Sequence, residues 1–82
     1  MINEYSKTLI SVVKELRLKN KLTQEQMAFE IDISTSYLGM IERGERNISL
    51  KNIYEIAKVF KMKPSELLKL VEQKIKNKDK NE

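Results

Sequence analysis

The side chains best placed for chemistry in this sequence lie between Ser34 and Arg43, and their chemistry is contact rather than catalysis. Leu38 and Ile41, with Tyr37 alongside, repeat at helical spacing and define an inward stripe. That leaves Thr35, Ser36, Gly39 and Met40 on the outward face. They are small or polar apart from Met40, and the long charged side chains that usually cover a solvated face are missing until Glu42 and Arg43. Such a face suits a helix that must enter the major groove of DNA, which is only about 12 Å wide. Hydroxyls can meet base edges or phosphates there, and an apolar group can meet a thymine methyl. The amides at the helix N-terminus can meet phosphate.

The composition closes off most other chemistry. There is no cysteine and no histidine, so disulfides, thiolate metal sites, cysteine nucleophiles and the commonest general base and zinc ligand are excluded. Gly39 and Gly44 are the two glycines of the chain, too few for a phosphate-cradling loop. We therefore expect no catalytic residue, no metal, no cofactor and no small-molecule ligand. Net charge says less. Residues 1–48 carry seven basic and seven acidic side chains, while residues 49–82 carry nine lysines against five acids and hold the whole +4. Attraction to a polyanion must come from arrangement rather than overall charge.

The elements that would position this face are five helices in an all-α chain of 82 residues, one domain's worth. The first runs from Tyr5 to Leu18 on Leu9, Val13 and Leu16, widened by Ile10 and Val12. Asn20 is the residue expected to turn left-handed after it. Thr23 with Gln26 three residues on is a capping-box signature for a second helix ending near Ile31, with Met27, Ala28 and Ile31 inward. Ser34 caps the third, which Gly44 stops; Ser49 caps the fourth, whose face is Leu50, Ile53, Ile56, Ala57 and Phe60. Pro64 suits the first position of the fifth. From Lys74 the sequence turns polar and basic, and fraying is expected there. The domain is drawn over residues 1–76, with 77–82 a polar tail.

Thr23-Gln24-Glu25-x-Met27-Ala28, Ile33-Ser34 and Tyr37-Leu38-x-x-Ile41-Glu42-Arg43-Gly44 together resemble the helix-turn-helix of the Cro/repressor-like (XRE) DNA-binding proteins. Leu50-x-x-Ile53-x-x-Ile56-Ala57-x-x-Phe60 and Pro64-Ser65-Glu66-Leu67-Leu68 are similar to that family's fourth and fifth helices. The resemblance covers about residues 7–70. It implies a five-helix lambda-repressor-like domain that binds double-stranded DNA and regulates transcription. It also implies roles for particular residues. Gln24 would bind a phosphate and brace the recognition helix. Ser34, Thr35, Ser36, Tyr37, Gly39 and Met40 would lie at the bases and phosphates. Arg43, Arg46 and Asn47 would reach the backbone beyond the helix, and Glu42 would be an ionic partner within the fold. Glu42 and Glu45 also lie close enough in sequence to neutralise these arginines locally.

The stretch from Glu42 to Leu50 further resembles restriction–modification controller proteins, small dimers that time expression of an endonuclease. Those proteins often carry Arg where Thr35 stands, so a bidentate guanine contact from that position is not expected here. The fifth helix carries more apolar residues than one core face needs, and Leu68, Val71 and Ile75 are expected to pair with a second copy on a palindromic site. A cytoplasmic protein with no membrane segment is expected, since no leader-like or spanning stretch is seen. The competing reading is an antitoxin-type module that uses the same fold to bind and neutralise a toxin.

Overall fold

In the computed structural model, which describes residues 3–80, each helix starts where a side chain can occupy an otherwise unpaired backbone amide. Asn3 opens α1 (Glu4–Lys19) by accepting from the Ser6 amide at 2.9 Å. Thr23 opens α2 (Gln24–Glu30): its hydroxyl accepts from the Gln26 amide at 3.0 Å, and the Gln26 side chain accepts from the Thr23 amide at 2.8 Å. Ser34 and Ser49 do the same for α3 (Thr35–Glu42) and α4 (Leu50–Val59), at 3.0 and 3.1 Å. At α5 (Pro64–Lys80) the Lys63 amide donates to Glu66 at 2.7 Å. All but the first of these starts carry the signal read from the sequence.

The four inner stops share one geometry. After each of α1 to α4 a residue turns left-handed: Lys21, Asp32, Gly44 and Lys61, at φ of 57°, 57°, 81° and 56°. The next amide then reaches back to the helix: Leu22 to the Arg17 carbonyl, Ile33 to Ala28, Glu45 to Met40 and Met62 to Ala57, all at 2.9–3.0 Å. Ile33 and Met62 plug into the core directly after the turn. One expectation is corrected here. Asn20 stays right-handed at φ −90°, because α1 runs one residue further than its apolar pattern and the Asn20 side chain donates to the Leu16 carbonyl at 2.7 Å. The left-handed position falls on Lys21 instead.

Burial follows the expected stripes except at the start of α4, where Leu50, expected inward, is 70% exposed and Asn52, two residues on, is buried in its place. Met27, Ile31, Leu38, Ile41, Ile56 and Leu67 are fully buried, with Val13 from α1 among them. At roughly 1.5–3 kcal/mol for each side chain taken from water, this set supplies much of the drive to fold. Helix α5 packs on both α1 and α4. It stays helical to Lys80, past the Lys74 where fraying was expected. Leu70 and Ile75 pack on the core, and Lys74 pairs with Glu15 of α1, so the polar stretch keeps a partner. That ion pair holds the Glu15 carboxyl below its ordinary range, chiefly through the hydrogen bond from Lys74. Residues 81–82 of the polar tail, like Met1 and Ile2, lie outside the described residues.

Candidate nucleic-acid interface

Helices α2 and α3 are joined by the turn at Asp32 and Ile33, and a buried ion pair fixes their relation to α1. Arg17 points inward from α1 and donates through Nε and Nη2 to the two carboxylate oxygens of Glu42 at 2.7 and 2.9 Å. Its Nη1 donates to the Leu22 carbonyl at 2.8 Å. Gln24, the first residue of α2, donates its side-chain amide to Glu42 at 3.0 Å. One carboxylate thus ties three helices together, with the Arg17 and Glu42 side chains 9% and 3% exposed. Burial pushes the Glu42 carboxyl up; the hydrogen bonds from Arg17 and Gln24 and the charges of Arg17 and Lys14 outweigh it and hold the group below the ordinary carboxylate range.

Glu42 is therefore the internal ionic partner that the resemblance implied, and Gln24 braces α3 through it. Arg17 was not singled out by sequence reasoning. Its signal was there, because it follows Val13 at i+4 on the apolar side of α1, where a cation needs a partner. That partner is 25 residues away, which no local pattern reveals.

With the inner side of α3 locked, the outer side presents the expected residues. Thr35 and Ser36 are exposed, Met40 and Tyr37 are half-buried, and Ser34 has its hydroxyl engaged in the cap. Gly39 lies on this same face but is buried, because neighbouring side chains cover it. A Cβ there would lie 3.2 Å from Nη1 of Arg43 and 3.9 Å from the Gln24 side-chain oxygen, so the bare backbone is a seat for the guanidinium. Arg43 accordingly folds back over α3 instead of extending past it. Its Nε and Nη2 donate to Glu45 at 2.8 and 3.3 Å. The hydrogen bond from Arg43 holds the Glu45 carboxyl below its ordinary range. Gln24, Thr35, Ser36, Gly39, Met40, Arg43 and Glu45 line one shallow open depression. Arg46 and Asn47 are exposed in the loop that follows.

The residues expected at a subunit contact lie elsewhere, on α5. Leu68 is 44% exposed and Ile75 half-buried, but Val71 is 7% exposed and belongs to the chain's own core. An apolar groove runs past all three, with Tyr5 of α1, itself largely exposed, on its edge; that tyrosine was not anticipated. Among the described residues there is no group of three or more acidic side chains that could hold a metal ion, and no helix long and apolar enough to cross a membrane.

Comparison with known proteins bears on this geometry. The family model described as helix-turn-helix matches residues 13–67. The control protein C.BamHI of Bacillus amyloliquefaciens is 46% identical over 57 residues, which span 68% of this chain and 70% of that one. Among solved structures, the restriction–modification controller protein C.AhdI of Aeromonas hydrophila is 40% identical, with a TM-score of 0.67 over 77% of this chain and 94% of that one. The controller protein C.Esp1396I, solved bound to a 25 base pair operator site, is 27% identical, with a TM-score of 0.78 over 92% of this chain and 97% of the other.

Proposed function

The chain belongs to the helix-turn-helix family, and from that premise we propose that this sequence-specific DNA-binding regulator acts as a homodimer on a palindromic operator and controls restriction–modification genes. The observation that carries the reading is the two-sidedness of α3. Its inner side is locked by Arg17, Glu42 and Gln24, and its outer side offers Thr35 and Ser36 with cations close by. A helix held this way can be pressed into a groove without shifting, and preorganisation of that kind lowers the cost of binding.

In this reading Thr35, Ser36 and Met40 meet base edges. Gln24, the Ser34 end of α3 and Tyr37 meet phosphate or base, and Arg46 and Asn47 reach the backbone beyond. Leu68 and Ile75, with Tyr5, form the subunit contact along the groove on α5. The identity to controller proteins supports the class of genes regulated. A twofold helix-turn-helix dimer places its half-sites about 10–11 bp apart, or a multiple of that.

The test is footprinting of duplexes selected by the protein and of the region upstream of its own gene. Two protected half-sites on one face of the duplex are expected. Titration of Ser36→Ala should show a preference relaxed at one position, with a loss of about 1–3 kcal/mol on the operator. Arg46→Ala should weaken operator and random duplex alike and flatten the salt dependence by about one unit. Protection of a single half-site would refute the dimer, and no selected sequence at all would refute the regulator.

A further inference from the structure

Resting on that reading of the interface, we propose that Arg43 and Glu45 act as one recognition unit for a G·C base pair, with Glu45 the specificity residue that keeps Arg43 off the phosphates. The argument starts from the turn that ends α3. Gly44 takes φ 81° and so brings residue 45 back beside residue 43. The Glu45 amide donates to the Met40 carbonyl at 2.9 Å, which fixes the carboxylate's backbone. Glu45 then accepts from Nε and Nη2 of Arg43. The seat for the guanidinium is Gly39, where any side chain would crowd Nη1. Two glycines and one backbone hydrogen bond therefore make room for this pairing at the surface, with the Arg43 side chain 60% exposed and its partner's 54%.

Charge gives that pairing a consequence. A lone arginine at the rim of a DNA interface attracts any phosphate, whatever the sequence. Paired with Glu45 it carries no net charge, and a phosphate approaching it also approaches a carboxylate. The edge of the guanidinium that Glu45 leaves free still has hydrogens on Nη1 to donate, and the carboxylate has lone pairs left to accept. In the major groove guanine offers two acceptors, N7 and O6, and cytosine offers one donor, N4. Guanidinium hydrogens directed at both guanine acceptors, with the carboxylate beside them at the cytosine donor, match that edge in order. An A·T pair facing the same unit would put the adenine N6 donor where guanine has O6, and the thymine O4 acceptor where cytosine has its donor, so guanidinium and carboxylate would each lose a partner. The pair lines the same depression as Thr35 and Ser36, which the proposed reading sets against base edges. It also offers a guanine contact to a chain with threonine at position 35.

The experiment titrates wild type, Glu45→Gln and Arg43→Ala against a selected operator, against versions with each G·C pair changed singly to A·T, and against random duplex, at several salt concentrations. Glu45 is exposed, so both variants should melt with the wild type. Glu45→Gln is expected to bind random duplex more tightly and to steepen its salt dependence by about 0.9 unit, the increment for one additional phosphate neutralised by the released arginine. It should lose about tenfold in discrimination at one G·C pair, the size of a single base contact. Arg43→Ala should lose discrimination at that same pair. If Glu45→Gln changes operator and random duplex by the same factor with base preference intact, Arg43 is a phosphate clamp and the proposal is wrong. It is equally wrong if Glu45→Gln changes nothing. A wild type that binds no selected duplex would instead overturn the regulator reading on which this one stands.

Discussion

Replacing Glu42 by alanine should separate what the buried ion pair does for the fold from what it does for the interface. Glu42 accepts three hydrogen bonds, two from Arg17 and one from Gln24. Without it Arg17 keeps the Leu22 carbonyl alone while remaining 9% exposed. Removing one partner of a buried pair costs about 3–5 kcal/mol, because the other charge is left uncompensated. A chain of 82 residues has roughly 4–12 kcal/mol of stability at the usual value per residue. The variant should therefore lose about a quarter or more of its stability. With a urea slope of about 1 kcal/mol per molar for a small domain, the midpoint should fall by about 3 M or the protein should be unfolded from the start. The double variant Arg17→Met/Glu42→Leu removes both charges at similar volume and should recover most of the loss. It should still bind the operator poorly, since Gln24 no longer has its acceptor. Urea melts of the wild type and both variants, followed by operator titration of those that fold, decide the matter. A Glu42→Ala stability within about 1 kcal/mol of wild type, or a double variant no more stable than the single, would refute the reasoning.

Three further outcomes are expected. The Glu42 carboxyl titrates below its ordinary range in the folded chain, so the stability it contributes is present above the unfolded value of about 4.3 and is lost as pH falls through the folded value; urea melts should show a loss below about pH 4.3 that Glu42→Gln largely removes. Lys21→Gly and Lys61→Gly should each raise stability by about 0.5–1 kcal/mol by relieving a left-handed side-chain conformation, and Gly44→Ala should lower it by about 1 kcal/mol, or 4–8 °C in Tm, from backbone strain alone, because a Cβ there would touch nothing within 4 Å. Light scattering should give a dimer at tens of micromolar and a monomer for Leu68→Asp/Ile75→Asp, whereas Val71→Asp should unfold the chain, being in its core.

What the sequence disclosed was whatever is decided locally. Thr23, Ser34 and Ser49 announce their helices because a cap and the amide it serves lie three residues apart. The inward stripes of α2 and α3 follow from periodicity alone, and that of α4 does so apart from its first turn, where Leu50 is exposed and Asn52 buried. What remained hidden is decided across the chain. Arg17 meets Glu42 over 25 residues, and Lys74 meets Glu15 over 59; the second pairing accompanies a helix that runs on to Lys80 through a stretch that reads as a tail. The left-handed turns at Lys21 and Lys61 carry no glycine or asparagine to mark them; each is closed by a reach-back hydrogen bond, and Met62 adds a plug behind the second. At the interface, Thr35 and Ser36 were legible as an exposed polar face, while the folding of Arg43 onto Gly39 depends on side-chain geometry that spacing does not encode.

The reach-back stop between α2 and α3 fixes the recognition helix within each copy, and the proposed pairing on α5 has a regulatory consequence. Asp32 and Ile33 set the angle of the recognition helix through one left-handed residue, one hydrogen bond and one buried plug. That joint is short, and Ile33 packs on the core directly behind it. In the proposed dimeric reading, control can act through the protein's abundance. When monomers must pair before they bind, dimer concentration rises as the square of monomer concentration while pairs are scarce. A cell beginning to make the protein would then see almost no occupancy at first, followed by a steep rise. If the proposed dimer forms, delay followed by commitment makes protein concentration the variable that sets when the operator fills.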